Sequence, residues 1–242
     1  MKIYLHNILT VSLLFLLVFC HAEASDKGSD CVILLHGLAR TEKSLLKLER
    51  HLEKHGYYVV NKGYPSRRKP IQELSVEAIS TAVARCRTID AGNIHFVTHS
   101  MGGILVRYYL EHNDLPELGR VVMLSPPNRG SEVVDKFRGT PLFEWINGPA
   151  GLQLGTDAES VPLTLEPPDY EVGIITGDRT INPILSLLIP GEDDGKVSVE
   201  RAKLAGMKDF LVVHESHPFI MNDDEVLRQV TTFIKQGVFE KN

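Results

Sequence analysis

The chain predicts a layered α/β domain built on a parallel sheet. Short apolar runs recur along it, amphipathic stretches separate them, and glycines mark several of the junctions. Strands that alternate with helices need crossovers on both sheet faces, which buries a parallel sheet between two helical layers.

The apolar run Cys31-Val-Ile-Leu-Leu35 stops at His36-Gly37 and reads as a buried strand. Residues 41–55 carry Leu45, Leu46, Leu48 and Leu52, then meet Gly56, which predicts an amphipathic helix with a glycine stop. A second strand follows at 57–60 and a second helix at 71–87. The third strand, 93–98, runs directly into Ser100, and a helix over 102–112 follows at once. Strands at 120–124, 171–176 and 209–213 bring the expected number to about six. The last helix, 223–235, gathers Val226, Leu227, Val230, Phe233 and Ile234 on one face. The Pro- and Gly-rich stretch 126–170 is long for a connection. It reads either as a small cap or lid over a site or as a plain surface excursion.

The first residues look like a targeting segment. Lys2 precedes an apolar run from Ile8 to Phe19, and Ala22-Glu23-Ala24 is a small-x-small cleavage site. That run falls short of the about 20 residues that a membrane span needs. The reading is a signal peptide over 1–24, one domain over 25–242, and a secreted or periplasmic location. The alternative is an uncleaved anchor. The formal net charge of −5 argues against a nucleic-acid partner. Cys31 and Cys86 follow the cleavage site, and export would permit a disulfide between them. Both are expected near strand starts.

The stretch Ile94-His-Phe-Val-Thr98-His99-Ser100-Met101-Gly102-Gly103 carries the chemistry. A strand that turns sharply into a helix lifts a serine hydroxyl above the sheet edge and aims helix amides at it. Gly102 is needed because a side chain there would strike the neighbouring element. Thr98 stands where the G-x-S-x-G pattern has its first Gly.

Taken with His36-Gly37-Leu38, Asp194-Gly195-Lys196-Val197 and His217, this stretch resembles the α/β-hydrolase superfamily, and most nearly its small bacterial lipases and esterases of the triacylglycerol-lipase type. The likeness covers roughly residues 31–236, in the chain order Ser, Asp, His of that superfamily. It implies an α/β-hydrolase fold with reduced N-terminal strands and a serine hydrolase acting through an acyl-enzyme. Ser100 is the expected nucleophile. The expected base is His217, on the loop before the last helix, with His214 as the alternative. The expected acid is Asp194, with Asp193 and Asp178 as alternatives. The backbone amides of Leu38 and Met101 are the expected oxyanion donors. His36 is expected to brace its loop, and His99 to pack. No clustered ligand spacing calls for a metal, and no cofactor is implied.

The expected substrate is a carboxylic ester, lipid-like or of short to medium acyl length. Thioester or amide hydrolysis and acyl transfer on the same residues stay open, as does a non-catalytic binding role on this scaffold. Lys62, Arg67, Arg68 and Lys69 form a basic loop that is either a contact for an anionic head group or membrane surface, or simply solvated. Leu142, Phe143 and Trp145 either line an acyl pocket or pack the 126–170 region onto the body. Asp157, Glu159, Glu166 and Asp169 make the second half of that region polar, which predicts little rise in rate at an oil–water interface.

Overall fold

The computed structural model describes residues 28–241. The expected signal peptide, 1–24, lies outside the described residues. Six strands form one sheet: β1 (Cys31–Leu35), β2 (Tyr58–Lys62), β3 (Ile94–His99), β4 (Leu118–Leu124), β5 (Val172–Gly177) and β6 (Asp209–Val213). Their order is β2-β1-β3-β4-β5-β6, and every neighbouring pair is parallel.

The chain winds outward from β1 to the edge strand β2, crosses back to β3, and continues outward to β6. The direction of winding therefore reverses between β1 and β3, and the carboxyl ends of these two strands flank a crevice. Such a crevice is where open α/β sheets bind ligands. Here it is bordered by His36-Gly37-Leu38 after β1 and by Ser100 after β3.

Alternation along each strand divides the core into two layers. Cys31, Ile33, Leu35, Phe96, Met123 and Ile174 pack toward α2 (Ile71–Arg87) and α3 (Met101–His112). Val32, Leu34, Val97, Val122, Leu124 and Ile175 face the opposite layer, formed by α1 (Leu46–Lys54) and the C-terminal helix Asp224–Gln236. The buried apolar residues of α2 are Ile71, Leu74, Ala78, Ile79, Ala82, Val83 and Cys86, spaced to lie on one stripe. The C-terminal helix is capped by Asp223, whose side chain accepts from the Val226 amide at 2.9 Å.

Element boundaries differ from the sequence expectations by a residue or two. The helix expected over 41–55 opens as a 3-10 turn, Glu42–Leu45, before α1 begins. The stretch 126–170 holds three short helices, α4 (Glu132–Phe137), α5 (Pro141–Leu152) and α6 (Val161–Thr164). Helix α5 is broken at Gly148, with φ 63° and ψ −171°. Pro149 disfavours helical backbone at the residue before it. Gly148 also lies against the Arg67 carbonyl, where a Cβ would come within 1.8 Å.

Cys31 and Cys86 are disulfide-bonded, with Cα atoms 5.7 Å apart. Cys31 opens β1 and Cys86 lies beside it in the last turn of α2, so both sit at the strand-start end of the sheet, as expected. Helix α2 runs back along the sheet from the end of β2, so its C-terminal turn returns to where β1 begins. The bond thus ties a central strand to the helix that covers it, across a sequence separation of 55.

Loop-closure entropy for a separation of this size gives about 4 kcal/mol of stabilisation. Replacing both cysteines by alanine should lower the unfolding free energy by a few kcal/mol, and urea denaturation of the oxidised protein and the double variant measures it. Equal midpoints would remove this role for the bond.

Candidate active site

The site is organised by one turn. Ser100 stands between β3 and α3 with φ 54° and ψ −124°, a left-handed conformation rare for a residue with a Cβ. Helix α3 begins at the next residue, and its start lies so close to β1 that a Cβ on Gly102 would sit 2.5 Å from the Leu35 carbonyl oxygen. On the opposite side of the crevice, a Cβ on Gly37 would come within 2.9 Å of His99 Nδ1 and 3.0 Å of Ser100 Cβ. Thr98 fills space beside Gly103: a Cβ there would lie 3.3 Å from Thr98 Oγ1. That accounts for a threonine where the usual pattern has glycine.

The structure brings Ser100, His217 and Asp194 together from three segments. Ser100 Oγ and His217 Nε2 are 3.0 Å apart, and His217 Nδ1 is 2.8 Å from Asp194 Oδ2. A protonated Nδ1 donates to the carboxylate, which leaves Nε2 to accept from the serine hydroxyl. Asp194 is fully buried, and its Oδ1 accepts from the amides of Lys196 at 3.0 Å and Val197 at 2.9 Å. Burial pushes the Asp194 carboxyl up, but the charge and hydrogen bond of His217 and the Val197 amide outweigh it. The result lies below the usual carboxylate range.

The alternatives are placed elsewhere. Asp193 accepts from the Gly195 amide at 2.7 Å and from the Ser186 hydroxyl at 2.5 Å, so it shapes the turn. Asp178 pairs with His214 at 2.9 Å, and the His214 side chain is 80% exposed. Leu38 borders the cavity, and its amide has no hydrogen-bond acceptor among the described residues. Met101 is the first residue of α3, where a helix amide has no acceptor within the helix. His36 Nδ1 meets the Gly37 carbonyl at 2.9 Å, and its Nε2 accepts from the Tyr64 amide at 3.3 Å. The two rings stack, with centroids 4.0 Å apart, which braces the loop.

Three features escaped the sequence reading. His99, expected only to pack, is buried and has its Nε2 2.9 Å from the His217 carbonyl oxygen, so it donates there and holds the loop of His217. Burial lowers its pKa well below the ordinary histidine value, which keeps the ring neutral. Arg107, buried on α3, donates to the carbonyls of Asn128, Pro162 and Leu165 and pins the 126–170 region to the body. No local pattern in the sequence marks that contact. Arg40 and Lys196 line the cavity, whereas none of Lys62, Arg67, Arg68 and Lys69 does. Lys69 instead pairs with Glu73 and Glu77.

The cavity over Ser100 has a volume of about 230 Å³, and its wall includes Leu38, Val134, Phe143, Leu154 and Leu185. Of the three apolar residues left open in the sequence, Phe143 lines it, while Leu142 and Trp145 are 67% and 78% exposed. Ile184 and Leu187 on the segment after β5, and Phe219 just beyond His217, are exposed as well. The segments that line the cavity thus also present apolar side chains to solvent.

No family model and no curated protein matches this sequence. Solved structures do. The chain is similar to the mature form of the lipase BlEst2 of Bacillus licheniformis, at 17% identity over 89% of this chain and 94% of that one, with a TM-score of 0.68. It is similar to the metagenomic carboxyl esterase MGS0156, at 19% identity over 81% of this chain and 66% of that one, with a TM-score of 0.61. It is also similar to the phospholipase PlaB of Legionella pneumophila, at 20% identity over 73% of this chain and 45% of that one, with a TM-score of 0.57. Identities this low show a shared fold.

A depressed carboxylate pKa contributes stability that is present above the unfolded value and lost as pH falls through the folded one. Asp194→Asn should therefore unfold more easily at pH 7, by about 1.5–3 kcal/mol for the weakened hydrogen bonds to a buried carboxylate. The difference should close on acidification below the ordinary carboxylate range of about 4. Urea midpoints of both proteins across that range check this, and a pH-independent difference would contradict it.

Proposed function

The fold being that of the α/β-hydrolases, we propose that this chain is a serine hydrolase that cleaves carboxylic esters through an acyl-enzyme, with Ser100 as nucleophile, His217 as base and Asp194 as the acid that orients it. The observation that carries the reading is the continuous hydrogen-bonded line from Ser100 Oγ through His217 to buried Asp194.

A serine hydroxyl is a weak nucleophile at neutral pH and needs a positioned base. His217 Nε2 takes the Ser100 proton as Oγ attacks the ester carbonyl carbon. Asp194 holds the imidazole in the tautomer that can accept and stabilises the imidazolium that forms. The carbonyl oxygen becomes an oxyanion, for which the amides of Leu38 and Met101 are the proposed donors. Collapse of the intermediate breaks the bond to the alcohol oxygen, which leaves with the proton from His217. Water then attacks the acyl-enzyme with the same base, and the acid product and free Ser100 result.

The apolar cavity wall supports an ester with a hydrocarbon acyl group. The exposed Leu142, Trp145, Ile184, Leu187 and Phe219 support a lipid-like substrate met at a surface, against the expectation drawn from the polar second half of 126–170. That expectation rested on one segment, whereas three supply these side chains. The disulfide supports a secreted or periplasmic location.

Ser100→Ala should lose several orders of magnitude in ester turnover, together with labelling by a fluorophosphonate, while its circular dichroism stays that of the parent. His217→Ala should lose far more than His214→Ala. Turnover retained in Ser100→Ala, or equal losses at the two histidines, would refute the assignment. The surface reading predicts a rate that climbs once a medium-chain ester passes its solubility limit, with a smaller climb in Trp145→Ser/Leu187→Ser. A rate that saturates below that limit, in both proteins alike, would return the substrate to soluble esters.

A further inference from the structure

Two cations stand inside the rim of the cavity. Arg40 follows Leu38 by two residues on the loop after β1, and Lys196 follows Asp194 by two residues on the turn that supplies the buried carboxylate. Both line the cavity that holds Ser100, both reach its solvent, and both act electrostatically on His99, next to the nucleophile. Neither forms an ion pair with a carboxylate among the described residues. The one acidic side chain in the cavity wall, Asp194, is already bonded to His217 and to two amides.

Like charges set side by side in a partly apolar recess repel unless something neutralises them. The Lys196 ammonium is pushed down chiefly by desolvation, and the charge of Arg40 adds to it. Half of the other arginines and lysines among the described residues have carboxylate partners, as Arg87 has Glu117 and Arg120 has Glu171. The pair at the cavity lacks one, and it sits where substrate must pass.

We propose that Arg40 and Lys196 form an anion subsite, and that the substrate is an ester carrying a phosphate or carboxylate group beside a hydrocarbon chain. The chain lies along Leu38, Val134, Phe143 and Leu154, and the anionic group lies between the guanidinium and the ammonium. Arg40 offers a planar fork and Lys196 a point charge, so the two together accept an anion of either shape. This inference rests on the serine-hydrolase reading and narrows its substrate class.

The test is a comparison of kcat/KM within matched pairs. One arm sets the 4-nitrophenyl monoester of adipic acid, with its free carboxylate on the acyl side, against 4-nitrophenyl hexanoate. The other sets octanoyl lysophosphatidic acid, with its phosphate on the alcohol side, against monooctanoylglycerol. Charge-assisted hydrogen bonds of ordinary strength predict a preference of about tenfold or more for the anionic member of at least one pair. The arm in which it occurs identifies the anion. The preference should fall as salt is raised, and Arg40→Gln/Lys196→Gln should bring the anionic-to-neutral ratio close to one. The salt series on the parent protein stands whether or not the double variant folds. A ratio near one in both arms of the parent overturns the subsite, as does a preference that the double variant keeps. A variant whose losses are equal on both members of each pair also overturns it, since the cations would then act on the reaction rather than on the anion. Should no member of either pair be hydrolysed and no fluorophosphonate label Ser100, the serine-hydrolase reading itself fails.

Discussion

Helix α3 starts against the carboxyl end of β1, with no room for a side chain at Gly102 beneath the Leu35 carbonyl. That contact leaves the chain one residue in which to turn from strand to helix, and Ser100 takes the turn in a left-handed conformation. Such a backbone costs about 1–3 kcal/mol and persists only where the surroundings over-determine it. Here Ser100 N–H donates to the Leu124 carbonyl at 2.8 Å, and the residues on either side of the turn are buried. The strain is held by packing on both flanks, and its product is a hydroxyl raised into the crevice between β1 and β3.

The remaining site groups are delivered by loops whose backbones are tied to one another. His217 N–H donates to the Asp194 carbonyl at 2.9 Å, so these two residues share a backbone bond as well as a side-chain bond. His99, one residue before the turn, bonds the His217 carbonyl and links the loop to β3. Gly177 makes the approach possible at the end of β5, where a Cβ would sit 2.0 Å from the Glu215 carbonyl oxygen. On the opposite wall, Arg107 and the Ser131 hydroxyl, which donates to the Lys196 carbonyl at 2.7 Å, fasten the 126–170 region. These contacts hold the 126–170 region against the body.

Much of this was legible in the sequence, for a local reason. Strands such as Cys31–Leu35 and Asp209–Val213, and helix Ile71–Arg87, carry their own periodicity and end signals. The Ser100 turn was legible because its requirement for small neighbours is itself local. The carboxylate partner of His217 was less so. Asp178 lies directly after β5, as a strand-end acid would, yet it pairs with exposed His214. The segment that brings Asp194 back to the site has no regular period to read. The basic loop 62–69 stood out by density of charge, whereas the two cations that reach the cavity, Arg40 and Lys196, lie 156 positions apart and show no pattern.

The sequence by itself determined the fold class, the order of the elements and the identity of the strained serine, because propensity, periodicity and steric need act over a few residues at a time. Only the tertiary structure decided which histidine meets which carboxylate, that a buried ring holds the loop of His217, and that two distant cations share one cavity. Those are contacts between segments, and they depend on where the sheet's parallel order carries each loop. The same order that places all strand ends on one side of the sheet gathers these side chains into a single crevice, and no local stretch of the chain contains that information.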